Sequence, residues 1–198
     1  MNRLKTDLSK FNNSDFDRGA NFIVIGLWYL VSAIFFKSSF FPLYSIKRSI
    51  LRLFGAKIGK GVVIKPSVNI KYPWFLYIGN YSWIGEDVWI DNLVEVSIGS
   101  HACLSQGVLL LTGNHDYKSE TFDLIVKEII LEDGVWIGAQ SILGPGVICR
   151  SHSVLTLNSV ATSELHAYSI YQGNPARLVR KREILRMQSS PGKSVEVE

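Results

Sequence analysis

The sequence predicts an all-β fold: a parallel β-helix of about five coils, preceded by a helical segment and followed by a short C-terminal helix. Two observations predict it. A large aliphatic residue returns at every sixth position, and the irregular joints in this rhythm fall between groups of three repeats. A strict period of six is neither the helical pattern nor the alternation of an ordinary strand. It indicates a triangular prism in which three hexads close each coil.

The repeated positions should form the core, because every sixth side chain of such a coil points inward. They are Ile58, Ile64, Ile70, Ile78, Ile84, Ile90, Ile98, Leu104, Leu110, Leu131, Ile137, Leu143, Cys149, Leu155 and Ala161. Glycines follow many of them, as Gly79 follows Ile78, and let the backbone turn where a Cβ would collide. Cys149 falls on an inward position, so we interpret it as a core residue and not as a nucleophile.

Residues 112–130 interrupt the repeat with "TGNHDYKSETFDLIVKEII". A coil needs no loop of this length, so we expect the segment to leave the prism. Long loops on rigid scaffolds often carry function. His115 lies at the root of the loop between Asn114 and Asp116. A neutral imidazole can accept a proton near neutral pH, which makes His115 the candidate base.

Charge and cysteine content narrow the function. The net charge of +4 lies mostly in two basic clusters, which suit a phosphate-bearing ligand or an anionic surface. They are Lys47, Arg48, Arg52 and Lys57, and then Arg177, Arg180, Lys181, Arg182 and Arg186. No aromatic-plus-basic pattern accompanies them, which argues against nucleic acid. The two cysteines fit neither a disulfide framework nor a metal site, and no cleavable signal peptide opens the chain. We therefore expect a cytoplasmic protein without a metal.

The chain divides into a helical, hydrophobic segment (1–56), the β-helix (57–172) and a C-terminal extension (173–198) whose tail reads as disordered. The apolar run at 22–36 is shorter than the roughly twenty residues that span a bilayer comfortably. Two alternatives stay open for it. It packs across the end of the prism and covers the exposed strand edge, or it lies on the inner face of an anionic membrane.

The hexads, the interrupted coil with its histidine and the ending "YQGNPARLVRKR" together resemble the left-handed parallel β-helix acyltransferases, in particular the maltose, galactoside and nodulation-factor O-acetyltransferases. The stretch "ILRLFGAKIGKGVVIKPSVNIKYPWFLYIG" and the "GNHD" loop resemble the colanic acid biosynthesis acetyltransferases more closely. The resemblance covers about residues 21–182. It implies a left-handed coil and acetyl transfer from acetyl-CoA to a saccharide acceptor of exopolysaccharide synthesis, and it leaves open whether that acceptor is lipid-linked.

Under this resemblance His115 takes the proton of the acceptor hydroxyl, and Asn114 and Asp116 are candidates for acceptor binding. Coil stacking would place Glu95 about one strand spacing from His115, as its orienting carboxylate. Related sugar acetyltransferases hold the acceptor with an asparagine where this chain has Gly85, and Asp87 is the candidate replacement. A solvated corner carboxylate is the alternative for Glu95, and an exposed turn acid for Asp87.

The donor positions of the family carry over to Ala139, Leu157, Thr162, Ser163, Arg177 and Arg180. The amide of Ala139 would meet the thioester as an oxyanion donor, and Leu157 would line the pantetheine path. Thr162 and Ser163 would lie further out, and the two arginines would pair with phosphates. Many relatives carry a lysine in place of Ser163, so one phosphate contact is missing here or is supplied by Lys181.

Three function classes stay open: an O-acetyltransferase, a zinc carbonic anhydrase on the same prism, and a non-catalytic binding scaffold. The four histidines are too widely separated for a shared three-histidine zinc site, and the loop histidine argues against a scaffold. An amino-sugar or other small acceptor also stays open. The flat faces of a prism predict a homotrimer with sites between subunits. Outward Trp83, Trp89 and Trp136 are candidates for those faces or for the donor groove.

Overall fold

The computed structural model describes residues 5–185, and the tail expected to be disordered lies outside this range. A 3₁₀ turn (Leu8–Lys10) and two α-helices, α1 (Phe22–Phe35) and α2 (Tyr44–Leu53), precede the prism. Asn21 caps α1 because its side chain accepts the first unpaired amides of the helix. Within residues 5–185, no helix combines the length and the hydrophobicity that a bilayer crossing requires.

Three parallel sheets form the faces of the prism, and each coil contributes one strand to each sheet. The first sheet holds β1 (Lys57–Ile58), β4 (Leu76–Ile78), β7 (Val96–Ile98), β12 (Ile129–Leu131) and β15 (Ile148–Cys149). The second holds β2 (Val63–Ile64), β5 (Trp83–Ile84), β8 (Cys103–Leu104), β13 (Trp136–Ile137), β16 (Val154–Leu155) and β18 (Ser169–Gly173). The third holds β3 (Asn69–Ile70), β6 (Trp89–Asp91), β9 (Leu109–Leu111), β14 (Ile142–Leu143) and β17 (Val160–Ala161). These strands make five complete coils and part of a sixth, which confirms the predicted β-helix.

The predicted ladder forms the core. All of its residues are buried, and even Ile58 at the open end is only 9% exposed. The corners are as tight as the glycines indicate, since a Cβ added at Gly79 would lie 2.5 Å from the amide nitrogen of Ser100. Cys149 is completely buried, and this burial raises the pKa of its thiol. The interpretation of Cys149 as an unreactive core residue is confirmed.

The two helices cap the open end of the first coil. Strands donate amides from each coil to the next, so the carbonyls of the first coil point out of the prism. Cations of α2 bind them: Arg48 donates to the carbonyl of Val62 and Arg52 to that of Ile58, at 2.8 Å each. Trp28 of α1 donates to Ile70 at 3.0 Å. The segment therefore packs on the prism, and its first basic cluster satisfies backbone carbonyls.

Lys47 is the most deeply buried of these cations. It is 0% exposed, and its Nζ donates to the carbonyl of Lys65 at 2.8 Å. Desolvation by burial lowers the pKa of Lys47 to about 8. The expectation that the cluster around Lys47 binds a phosphate or an anionic surface is therefore wrong for Lys47 itself, because its ammonium group faces protein.

Within the described residues, the C-terminal extension does not form the predicted short helix. Its described part forms a strand, β19 (Ala176–Lys181), that pairs antiparallel with β18 and extends the second sheet. The short helix expected after the coils is absent from the chain up to residue 185. The chain reverses direction at residues 174–175. The backbone of β19 therefore pairs with β18, the edge strand of the sixth coil, whose outer edge would otherwise stay unpaired.

The interrupted coil releases a β-hairpin. Strands β10 (Gly113–His115) and β11 (Leu124–Val126) pair antiparallel with each other and belong to none of the three sheets. The hairpin leaves the prism after β9 and returns at β12, at the corner between the third and first sheets. Residues before α1 pack on its tip: the amide of Asp7 donates to the carbonyl of Glu120, and Lys10 lies 2.7 Å from the Glu120 carboxylate.

Candidate active site

The hairpin fixes the ring of His115. Its Nδ1 lies 2.8 Å from the carbonyl oxygen of Phe122, in the hairpin loop two residues before β11. The Phe122 ring stacks on the imidazole with centroids 4.4 Å apart and planes 7° apart, and Phe11 meets the imidazole at a steep angle. A carbonyl can only accept, so Nδ1 carries the proton and the neutral ring presents Nε2 as the basic nitrogen.

A pocket of about 560 Å³ lies beside this imidazole. Its walls come from the hairpin, from corners of the first two coils, from the segment before α1 and from α1 itself. The lining residues are Phe11, Asn13, Phe16, Arg18, Ile25, Tyr29, Lys71, Tyr72, Asp91, Leu93, Gly113, Asn114, His115 and Leu124. Burial raises the pKa of Tyr72, so its phenol stays protonated. The pocket combines a base with hydroxyl and charged groups.

Asp91 and Lys71 form the polar floor of this pocket. They stack at the same corner of neighbouring coils, and Lys71 Nζ lies 2.9 Å from Oδ1 of Asp91. The Lys71 ammonium therefore satisfies this buried oxygen, and the ion pair fixes the Asp91 carboxylate at the pocket wall. A carboxylate has two oxygens that accept hydrogen bonds, so Asp91 is a candidate acceptor for a ligand hydroxyl.

Among the described residues, no hydrogen bond joins Glu95 to His115, so the structure does not support Glu95 as the orienting carboxylate. The chain around Glu95 pairs with the strand that returns from the hairpin, because Val96 lies opposite Ile129. Glu95 is exposed, and the carbonyl of Phe122 holds the His115 nitrogen that Glu95 was expected to orient. Asp116 accepts the amide of Lys118 in the hairpin turn and does not line the pocket. Asn114 does line it, beside His115.

The donor candidates and Asp87, the candidate for acceptor binding, do not all lie at one corner of the prism. Asp87, Ala139 and Leu157 follow strands of the second sheet, so they lie at the corner between the second and third sheets. Arg177 pairs with Gln172 on the same side of the sixth coil. Thr162, Ser163 and the His115 hairpin follow strands of the third sheet and lie at the next corner. Arg180 pairs with Ile170, near the start of β18.

The backbone at Ala139 suits an oxyanion donor. Its carbonyl accepts the amide of Asn158, whereas its own N–H donates no hydrogen bond to the described residues. Leu157 stacks above Ala139 and is 71% exposed, and the arginines of β19 are exposed as well. An unbonded amide, an apolar side chain and the Arg177 cation thus follow one another along this corner of the prism, an order that fits a thioester, a pantetheine arm and a phosphate.

Some residues of the pocket could not be predicted from the sequence, and one pair could. Phe11, Arg18 and Tyr29 enter the pocket through the packing of the N-terminal segment, which no local pattern predicts. The pairing of Lys71 with Asp91 follows the register of the coils, in which Ile70 lies opposite Ile90. The repeat could therefore have predicted this pair.

A prism of hexapeptide coils with a histidine on a protruding hairpin defines an acyltransferase of the β-helix class. No protein-family model matches the sequence. The chain is 41% identical over 176 residues to WcaF of Escherichia coli, a protein named for colanic acid biosynthesis acetyl transfer, and the match covers 89% of this chain and 97% of WcaF. It is 23% identical over 138 residues to the galactoside O-acetyltransferase of Escherichia coli, covering 68% of each chain.

Its fold is similar to that of a hexapeptide-repeat acetyltransferase from Vibrio cholerae whose crystal structure contains acetyl coenzyme A. The TM-score is 0.74 at 20% identity, with 82% of this chain and 88% of the other covered. The chain belongs to the hexapeptide-repeat acetyltransferases, in the group that contains WcaF. It is an acyltransferase, which sets aside the zinc enzyme and the scaffold as functions. Within residues 5–185, no group of three or more His, Cys, Asp or Glu side chains could hold a metal.

Proposed function

We propose that the protein transfers an acetyl group from acetyl-CoA to a sugar hydroxyl in exopolysaccharide synthesis, with His115 as the general base. One observation carries the proposal: the Phe122 carbonyl holds Nδ1 of His115, and the imidazole borders a pocket that the Lys71–Asp91 ion pair also lines. The name of WcaF supports an exopolysaccharide acceptor, and the acetyl coenzyme A complex of the Vibrio cholerae protein supports the donor.

In the proposed reaction, Nε2 of His115 removes the proton as the acceptor oxygen forms a bond with the thioester carbon. The carbonyl oxygen becomes an oxyanion, which the amide of Ala139 stabilises. The carbon–sulfur bond then breaks, and the imidazolium returns its proton to the CoA thiolate. The reaction needs no acyl-enzyme intermediate. Cys149 is buried in the core, and Cys103 lies within a strand of the second sheet, whereas the His115 hairpin follows the third sheet.

The two corners require two copies of the chain. His115 and Ala139 follow different sheets, so a single prism holds the base and the oxyanion donor apart. We place the site between neighbouring subunits of a homotrimer, where the hairpin corner of one copy meets the donor corner of the next. Trp83, Trp89 and Trp136 support such contacts, since each is at least 45% exposed on a flat face of the prism.

The test is an acetyl-CoA consumption assay over sugars, nucleotide sugars, amino sugars and lipid-linked oligosaccharides, with product identified by mass spectrometry. We expect an O-acetyl ester on a saccharide, and hydroxylamine should cleave it. An amide product would instead favour an N-acyltransferase, the activity named for a Bacillus cereus structure of similar fold (TM-score 0.59, 21% identity). Loss of CoA release in His115→Ala, with acetyl-CoA binding retained, links the activity to this pocket.

A further inference from the structure

The outer face of α1 is an exposed apolar surface that the acetyl-transfer site does not use. Trp28, Ser32 and Phe36 lie on the inner face and are buried against the prism. A helix turns about 100° per residue, so every third or fourth residue from Ile23 lies directly opposite them. The members of this outer stripe are Ile23, Leu27, Leu30 and Ile34, with exposures of 65%, 52%, 60% and 53%.

More apolar surface borders the outer stripe. A groove of about 460 Å³ between α1 and the end of α2 is lined by Gly19, Ala20, Val24, Leu27, Leu53, Phe54 and Trp74. Leu27 belongs to both the stripe and the groove, so the two surfaces are continuous. Leu53, which lines this groove, is 83% exposed. Contiguous apolar surface of this kind marks an interaction site in a folded protein.

The charge around this end of the prism is mostly positive, with Asp17, which accepts the amide of Gly19 at the groove, as a nearby carboxylate. Between residues 19 and 85 the sequence has no Asp or Glu. It has these cations: Lys37, Lys47, Arg48, Arg52, Lys57, Lys60, Lys65 and Lys71. Carboxylates from the second coil pair with two of them, Lys65 and Lys71. No described carboxylate lies within ion-pair distance of the others, and the carbonyls that bind three of them are neutral.

We propose that this end of the prism docks on an anionic lipid bilayer, with α1 lying in the plane of the interface. An apolar helix face beside exposed cations without a carboxylate partner, here Lys37, Lys57 and Lys60, is the combination that binds such membranes. A second copy of the chain fits the surface less well, because two such ends would bring like charges face to face. In the trimer proposed above, prisms packed side by side would present three such helices at one end, which multiplies the attachment.

The experiment measures binding of the full chain to sedimenting vesicles of phosphatidylcholine, with and without phosphatidylglycerol. The test variant is the double substitution Leu30→Glu and Ile34→Glu, on the outer stripe. The matched control is Ile184→Glu with Leu185→Glu, which places two charges on exposed apolar residues beyond the sixth coil. Thermal melting and acetyl-CoA hydrolysis or transfer verify that both variants fold. Vesicle binding requires no acetyl transfer, so its failure is separate from a failure of the proposed function.

We expect the unsubstituted chain to bind the anionic vesicles and to lose affinity as salt increases. The outer-stripe variant should bind at least roughly tenfold more weakly, and the control variant should bind as the unsubstituted chain does. Equal binding by the outer-stripe variant would overturn the proposal. Absence of vesicle binding by the unsubstituted chain would also overturn the proposal. If, in addition, the outer-stripe substitutions dissociated a larger assembly of the protein in lipid-free buffer, the surface would be a contact between copies of the chain instead.

Discussion

Nδ1 of His115 lies 2.8 Å from the carbonyl oxygen of Phe122, and the rings of the two residues stack. The backbone of the hairpin thus determines the tautomer of the proposed base, with no carboxylate involved. A carbonyl orients the ring without adding negative charge beside it, whereas a carboxylate would stabilise the protonated imidazolium. The first prediction follows from this arrangement.

His115→Ala should lose roughly 10²-fold or more in kcat, because no other group would remove the hydroxyl proton. His115→Asn should be nearly as damaging, since asparagine keeps a hydrogen bond but accepts no proton. Acetyl-CoA binding by calorimetry should be unchanged in both. His101→Ala, at a corner where the ring stacks on Tyr81, is the control. A variant of His115 that keeps more than about a third of kcat would contradict proton abstraction.

Asp91→Asn should raise the KM for the saccharide acceptor, by roughly tenfold for the loss of one hydrogen bond to a charged group. The KM for acetyl-CoA should stay constant, because none of the proposed donor residues lines this pocket. Steady-state kinetics with each substrate varied in turn measures the difference. Asp133→Asn removes a carboxylate that caps the amide of Ser100 on another corner, and it serves as the control. Equal changes in both KM values would mean that Asp91 has a structural role only.

Arg177→Ala and Arg180→Ala should each raise the KM for acetyl-CoA and leave kcat nearly intact. A phosphate far from the thioester is bound equally in the ground and transition states. A dephospho-CoA thioester should lose less on mutation. Arg150→Ala is the control, because the carboxylates of Glu132 and Glu164 already hold this arginine. If Arg177→Ala and Arg180→Ala both leave the KM for acetyl-CoA at the value of the unsubstituted enzyme, these arginines lie outside the donor site.

The proposed trimer has a mass of three times the 22.2 kDa chain, which light scattering would measure at micromolar concentration. A complementation assay tests the shared site. Inactive His115→Ala and a donor-side variant, Ala139→Pro or Leu157→Arg, are mixed in equal amounts under denaturing conditions and refolded. Random trimers should recover about a quarter of the activity, because each mixed trimer assembles one intact site. A fully active monomer, or no recovery from folded mixed trimers, would show that one chain holds the whole site.

Lys47 gives the stability of the protein a defined pH dependence. Its pKa is about 8 in the folded protein against an ordinary 10.5. Between these values the unfolded chain binds the proton that the folded chain has released, so stability rises with pH across this interval. Relative to Lys47→Met, the unfolding free energy of the unsubstituted protein should therefore increase from pH 8 towards 10.5, by about 3 kcal/mol at most.

Denaturant titrations at fixed protein concentration would measure this difference, because subunit association also contributes to stability. Lys57→Met, which removes an exposed lysine from the same coil, is the matched control. A difference between the unsubstituted protein and Lys47→Met that falls with pH, or does not change, would exclude the lowered pKa.

The sequence determined the features that depend on a repeat of six. Each hexad forms its own strand and corner, and neighbouring coils stack through the backbone, so ladder residues such as Ile84 and Leu143 could be assigned to the core without a structure. The break in the repeat also located the hairpin and its histidine. Only the tertiary structure placed Phe122 at His115, packed Phe11 and Arg18 around the pocket, and paired β19 with β18. These contacts join segments whose local pattern is compatible with several conformations, so the burial of shared apolar surface and the pairing of strand edges decided between them.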